Sequence, residues 1–143
     1  MRFLADAMLG KLARWLRIIG YDTEYLPSAS DEELISMAES ESRLLLTRDS
    51  ELFRRATRRG VPSLLLRSTT IEGELREISG AVAVRLSGET RCPLCNVVLV
   101  EDEKSRAPSS GGSIWVCPRC GKFYWHGTHW LRISATLRDS GIA

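Results

Sequence analysis

Arg2-Phe3-Leu4-Ala5-Asp6-Ala7-Met8-Leu9-Gly10-Lys11-Leu12-Ala13-Arg14-Trp15-Leu16-Arg17-Ile18-Ile19-Gly20 opens the chain and decides its fold. Residues 2–6 read as a buried strand ending on an aspartate. Met8 to Ile19 reads as a helix, because Leu9, Leu12, Ala13, Leu16 and Ile19 recur on one face while Lys11, Arg14 and Arg17 take another. Gly20 supplies the left-handed residue that ends many helices. The plan then repeats. Residues 23–26 form a second strand, and Ser30-Asp31-Glu32-Glu33 is a Ser-x-x-Glu capping box, so a helix starts there with Leu34, Ile35, Met37 and Ala38 turned inward. Leu44–Thr47 is a third strand running into Asp49, Ser50–Arg59 a third helix stopped by Gly60, Pro62–Leu66 a fourth strand, and Ile71–Ile78 a weaker helix. Strands alternating with helices imply right-handed βαβ units and a parallel sheet, and near-continuous apolar strands imply helices on both faces. The fold class is therefore α/β, a three-layer α/β/α arrangement with a central, mostly parallel sheet.

The character changes near Ser87-Gly88, which sets expected units of residues 1–87 and 88–143. The second holds two Cys pairs, short β-like runs at Val97–Val100 and Ile114–Val116, and a C-terminal helical segment packing on the first unit. Its polar stretch Glu101–Ser113, with Ser109-Ser110-Gly111-Gly112, reads as a mobile loop.

A chain of 143 residues with 43% hydrophobic and 27% charged side chains can bury one good core with a small appended module, which excludes a disordered chain. The net charge of +2 is too small to argue for nucleic acid, although residues 91–143 carry more basic than acidic groups. No apolar run approaches the roughly 18 residues of a membrane span, and Asp6, Lys11 and Arg14 interrupt any signal-peptide apolar region. A cytoplasmic chain is expected, where four cysteines are metal ligands rather than disulfides.

Cys92-Pro93-Leu94-Cys95 and Cys117-Pro118-Arg119-Cys120 are two C-x-x-C knuckles separated by 21 residues. Four thiolates suit tetrahedral Zn²⁺, with iron the competing ion, and leave no open position, so the site is structural. Asn96 and Gly121 follow the pairs and readily take the left-handed backbone such a turn favours. A small ribbon of this kind draws much of its folding free energy from the metal. Phe123-Tyr124-Trp125-His126 and His129-Trp130 either pack against the first unit or stack on bases.

Asp6 and Asp49 fall at the carboxyl ends of strands, and Asp31 in the turn beyond another. That edge is where open α/β sheets bind ligands. Like charges gathered there repel unless a cation intervenes, and oxygen-only ligation selects Mg²⁺ or Mn²⁺. Such ions activate water and stabilise charge on a phosphodiester. Each acid also has a bland explanation: Asp31 within the capping box, Asp49 as a helix N-cap. Glu51 could join from the first helical turn, whereas Glu33 is accounted for by the box. Lys11, Arg14, Arg17 and Arg48, with Arg54, Arg55, Arg58 and Arg59, could form a rim for a polyanion, or a solvated helix face. There is no Asp-x-Asp after the first strand, no phosphate-binding Gly-x-x-x-x-Gly-Lys loop and no evident covalent nucleophile.

Phe3–Arg17, Gly20-Tyr21-Asp22-Thr23, Asp31-Glu32-Glu33-Leu34, Leu45-Leu46-Thr47-Arg48-Asp49, and Cys117–Trp125 with Gly127-Thr128-His129-Trp130 resemble the Mut-seven C-terminal RNase domain family, over about residues 2–132. The resemblance implies a PIN-like nuclease fold carrying a C-terminal zinc ribbon and a metal-dependent ribonuclease. It matches Asp6, Asp31 and Asp49 to the acids that hold Mg²⁺ or Mn²⁺, and Glu51 to a further acid.

The leading expectation is hydrolysis of single-stranded RNA, with Lys11, Arg14, Arg17, Arg48 and His129 as RNA contacts. One alternative is a non-catalytic RNA- or ribosome-binding module with a structural zinc ribbon. A third is a PIN-type toxin RNase controlled by a protein partner, against which the ribbon counts.

Overall fold

The computed structural model describes residues 1–85, 89–108 and 111–139, apart from the side chains of Thr128 and His129. The expected unit boundary at Ser87-Gly88, and Ser109-Ser110 of the polar stretch, lie outside the described residues.

Strands β1 (Phe3–Ala5), β2 (Thr23–Tyr25), β3 (Leu44–Thr47) and β4 (Ser63–Leu65) form one sheet in the order β2-β1-β3-β4. Every pairing is parallel, with Phe3 beside Thr23 and Leu44, and Leu45 beside Ser63. Side chains alternate between the two faces of a strand, and the core divides accordingly. Leu4 and Leu45 pack on one face with Leu34, Ile35, Leu52 and Ala56 of α2 (Asp31–Ser40) and α3 (Ser50–Arg58). Phe3, Ala5 and Leu46 pack on the other with Leu12 and Leu16 of α1 (Gly10–Ile19), Leu75 and Ile78 of α4 (Ile71–Ala81), and Ile133 and Leu137 of α5 (Thr128–Asp139). The molecule is thus α/β with helices on both faces of a parallel sheet. No described helix is long and apolar enough to cross a membrane.

Helix boundaries follow local chemistry. A 3₁₀ turn (Ala7–Leu9) separates β1 from α1, so the helix starts two residues later than the sequence pattern indicates. Gly20, at φ 118°, ends α1 with its N–H donating to Leu16 and Arg17 carbonyls. The capping box forms in both directions: Glu33 N–H donates to Ser30 Oγ, and Ser30 N–H to Glu33 Oε1. Thr70 caps α4, which runs one turn beyond Ile78.

The Cys-rich part is a three-stranded antiparallel sheet, β5 (Val100–Asp102), β6 (Ile114–Val116) and β7 (Phe123–Tyr124). Its first strand departs from the expected Val97–Val100. Asn96 takes φ 66° and the Val97 carbonyl accepts the Cys92 N–H, so the knuckle holds the chain until Val98 and strand pairing extends to Asp102. The loop therefore begins at Glu103, where Asp102 accepts from Lys104 N–H and Ser105 Oγ.

A bonded seam joins the ribbon to the parallel sheet. Arg17 donates to the Thr23 carbonyl at 2.8 Å and the Pro93 carbonyl at 2.7 Å. Asn96 accepts from the Thr23 N–H at 3.0 Å and donates to Asp22 at 2.8 Å. Thr90 Oγ1 donates to the Ile18 carbonyl, and the Arg91 N–H to that of Arg17.

Candidate active site and metal centre

Two places carry chemistry: the carboxyl edge of the parallel sheet, and the Cys knuckles. At the sheet edge Asp6 leaves β1 and is 6% exposed. Its Oδ1 accepts the Met8 N–H at 3.0 Å, which caps the 3₁₀ turn, and its Oδ2 accepts the Thr47 hydroxyl at 2.5 Å. Thr47 ends β3, and its Oγ1 also accepts the Asp49 N–H at 2.9 Å. One buried hydroxyl thus ties the ends of adjacent strands together and fixes the Asp6 carboxylate. Asp49 is the N-cap of α3, with Oδ1 accepting from Glu51 and Leu52 N–H groups. Among the described residues neither Asp6 nor Asp49 has a cationic partner.

Asp31, the third expected acid, has a cationic partner instead. Asp31 is the first residue of α2, and its Oδ2 lies 3.4 Å from Arg55 of the neighbouring α3. Among the described residues no three carboxylates come close enough together to share an ion. Glu51 is likewise turned outward, one helical turn from Arg54 at 2.9 Å and near Arg58 at 3.5 Å; the Arg54 bond holds its carboxyl below the usual range. The i,i+3 spacing makes that pair locally favourable. Arg55 of α3 and Arg59 at its C-cap both reach Glu32, and Arg59 also reaches Glu39.

The basic candidates divide in four. Lys11 and Arg14 are exposed on α1 without an ion-pair or hydrogen-bond partner among the described residues. Arg17 is 7% exposed and commits its guanidinium to two carbonyls, which makes it a tie between β2 and the ribbon. Arg48 is held by Glu74 at 3.0 Å. His129 lies in the first turn of α5, and its side chain is outside the described residues.

Glu74 is a residue the motif reading passed over. It is 3% exposed and its Oε2 is buried without a hydrogen-bond partner, as is Arg48 Nε. Burial pushes its carboxyl above the usual range, with Arg48 pulling the other way. The signal was present: Ile71, Glu74, Leu75 and Ile78 share the i, i+3, i+4, i+7 stripe that faces the core. Beside the pair opens a cleft of about 350 Å³, lined by Met8, Lys11, Arg48, Thr70, Glu74 and Arg132.

As oxygen donors, the Asp6 and Asp49 carboxylates could each serve as a ligand to a hard cation. A carboxylate offers about four lone-pair sites, so the bonds from Met8, Thr47, Glu51 and Leu52 leave acceptor capacity on both. Mg²⁺ is commonly held by one or two carboxylates with water completing its shell.

At the second place the sulfurs of Cys92, Cys95, Cys117 and Cys120 all lie within 4.8 Å of one another. Cys92 and Cys120 are 3.9 Å apart, close to the ~3.8 Å edge of a tetrahedron with Zn–S bonds of ~2.3 Å. The knuckles are congruent. Asn96 and Gly121 take φ 66° and 77°, and their N–H groups donate to the Cys92 and Cys117 carbonyls. Cys95 N–H points at Cys92 Sγ, Cys120 N–H at Cys117 Sγ, and the Tyr124 hydroxyl lies 3.3 Å from Cys92 Sγ. Four soft donors so arranged could hold a metal ion such as Zn²⁺.

The model of the Mut7-C RNAse domain family matches residues 1–137 of the 143-residue chain. No curated protein and no solved structure matches it.

Proposed function

Because the chain belongs to the Mut7-C RNAse domain family, we propose that it is a PIN-like, metal-dependent ribonuclease that hydrolyses phosphodiester bonds of single-stranded RNA at the carboxyl edge of its parallel sheet. The observation that carries this reading is the Asp6–Thr47–Asp49 arrangement: a buried carboxylate with no ion-pair partner among the described residues, fixed by a hydroxyl that also anchors the next acid. Asp6 and Asp49 would hold Mg²⁺ or Mn²⁺, which when bound supplies an activated water and neutralises charge at the scissile phosphate. Thr47 keeps Asp6 in one rotamer. Lys11 and Arg48 flank the cleft beside it and bind the phosphates on either side, and Glu74 aims Arg48. The four-cysteine group is proposed as a structural zinc site, since four protein ligands leave no position for substrate.

Of the other acids, Asp31 would take part only by leaving Arg55, and Glu51 only by leaving Arg54. The experiment is cleavage of single-stranded RNA in the presence and absence of Mg²⁺ or Mn²⁺, with Asp6→Asn and Asp49→Asn variants. Loss of several orders of magnitude on metal removal and in both variants is expected; unchanged cleavage would overturn the assignment.

The ion pairing of Asp31 and the capping role of Asp49 favour one second reading, a non-catalytic RNA-binding module. Its mark is RNA binding without cleavage, indifferent to both substitutions.

A further inference from the structure

The chain has four tryptophans, and all of them line one cavity of about 230 Å³ between α1, α5 and the ribbon. Trp15 comes from α1, Trp115 from β6, Trp125 from the segment after β7, and Trp130 from α5. The rings form a column. Trp15 and Trp130 lie 6.2 Å apart at 9°, Trp130 and His126 4.1 Å apart at 23°, and His126 and Trp115 4.7 Å apart at 34°. Burial holds the His126 imidazole below its usual range. Its Nε2 is buried without a hydrogen-bond partner among the described residues. Unsatisfied buried nitrogens are uncommon in native interiors, and this one stands in the wall of a mostly aromatic cavity that Thr90 and Arg91 also line.

Helix α1 connects this cavity to the acidic edge. Its N-terminal turn follows Asp6, and its outer stripe carries the exposed cations Lys11 and Arg14 before reaching Trp15 and Ile18 on the cavity wall. Lys11 and Ile18 are about 10 Å apart along the axis, a span of a few nucleotides. Positive charge leading to stacked aromatic faces is the chemistry of single-strand recognition.

We infer that this cavity is a base slot: it receives one nucleobase of a single-stranded RNA whose backbone runs along Lys11 and Arg14 to the acidic edge. The slot depends on RNA being the ligand, as the ribonuclease reading has it, but not on cleavage. The cavity is smaller than a typical small-molecule site, which fits one planar ring rather than a larger ligand.

Because every tryptophan lines the slot, intrinsic fluorescence reports its occupation. The full, metal-loaded chain is titrated with single-stranded RNA of about eight nucleotides, and with an abasic strand of equal charge, in buffer without added Mg²⁺ or Mn²⁺. The expected result is quenching by the normal strand and about tenfold weaker binding of the abasic one. Trp125→Ala, a residue 44% exposed, should weaken binding similarly, with Trp125→Phe restoring most of it. Equal affinity for both strands without quenching overturns the slot, even where the protein binds and cleaves RNA. If neither strand binds nor is cut, the RNA reading fails and the slot with it. The abasic comparison uses unaltered protein, so a misfolded variant cannot decide the outcome.

Discussion

Asn96 should be the most consequential small side chain in the molecule. It sits one residue past Cys95, at φ 66°, with Oδ1 on the N–H of fully buried Thr23 and Nδ2 on the Asp22 carboxylate. Replacing it with alanine strands the Thr23 N–H, which costs about 1–3 kcal/mol. It also removes one charge-assisted bond, although Asp22 keeps Arg43 at 2.9 Å, so about 1 kcal/mol is a fair share. Holding alanine in the left-handed region adds about another 1 kcal/mol. The sum, about 3–5 kcal/mol, is a large part of the roughly 5–15 kcal/mol that holds an ordinary domain together. Asn96→Gly suffers the first two losses and not the third, so the order of stability is wild type, then glycine, then alanine about 1 kcal/mol below it.

Urea unfolding of the metal-loaded protein, followed by circular dichroism and tryptophan fluorescence together, measures these differences. The metal supplies a second axis. If the knuckle positions Asn96, chelating the ion releases the same bonds, and the wild-type and alanine proteins then differ by much less than when loaded. Such non-additivity is the mark of coupled sites. An alanine variant within about 1 kcal/mol of wild type refutes the reasoning, as does an alanine penalty that chelation leaves unchanged.

Three further outcomes follow from the same geometry. Thr47→Val keeps the shape but removes the hydroxyl that Asp6 and the Asp49 N–H share, so RNA cleavage should fall at least tenfold while Thr47→Ser retains it, as measured by initial rates. Glu74→Gln removes a buried carboxylate whose folded pKa is raised; ionising it favours the unfolded chain, so wild-type stability falls as pH rises above 4.5, and melts across that range should show the decline missing in the variant. Asp22 behaves oppositely: burial alone would raise it, yet Arg43 and Asn96 hold its carboxyl at about 2. Its contribution, about 2 kcal/mol, is complete above pH 3.8 and lost as pH falls toward 2, so Asp22→Asn should flatten the acid limb of stability.

What the sequence revealed was local. The Asp6 strand end, the Ser30 capping box, the Gly20 stop and the two knuckles each depend on residues within a few positions of one another, and all four appear where the spacing put them. The thiolate group was legible for the same reason within each knuckle, since C-x-x-C dictates its own turn. The ion pair of Asp31 was not legible, because its partner Arg55 is 24 residues away and comes within reach only when α2 and α3 lie side by side. Placing acids at strand ends identifies an edge of the sheet, but it does not say which cation each one will find.

Arg17 carries that lesson further. On the α1 wheel it belongs with Lys11 and Arg14, three charges at one spacing, and nothing within the helix distinguishes it. The difference comes from residues 90–96, which cover the last turn of α1 and convert a solvent-facing arginine into a clamp on Thr23 and Pro93. A helix stripe can be polar because it faces water or because another module docks there through hydrogen bonds, and periodicity treats the two alike. A guanidinium has five donors in a fixed fork, so it can enter such a seam and remain bonded, whereas a buried lysine ammonium would give up a more strongly hydrated charge. The ribbon is therefore attached by directional bonds from Arg17 and Asn96 as well as by its aromatic column. Removing the Arg17 fork should loosen the ribbon from β2 while leaving the two hydrophobic layers of the sheet intact.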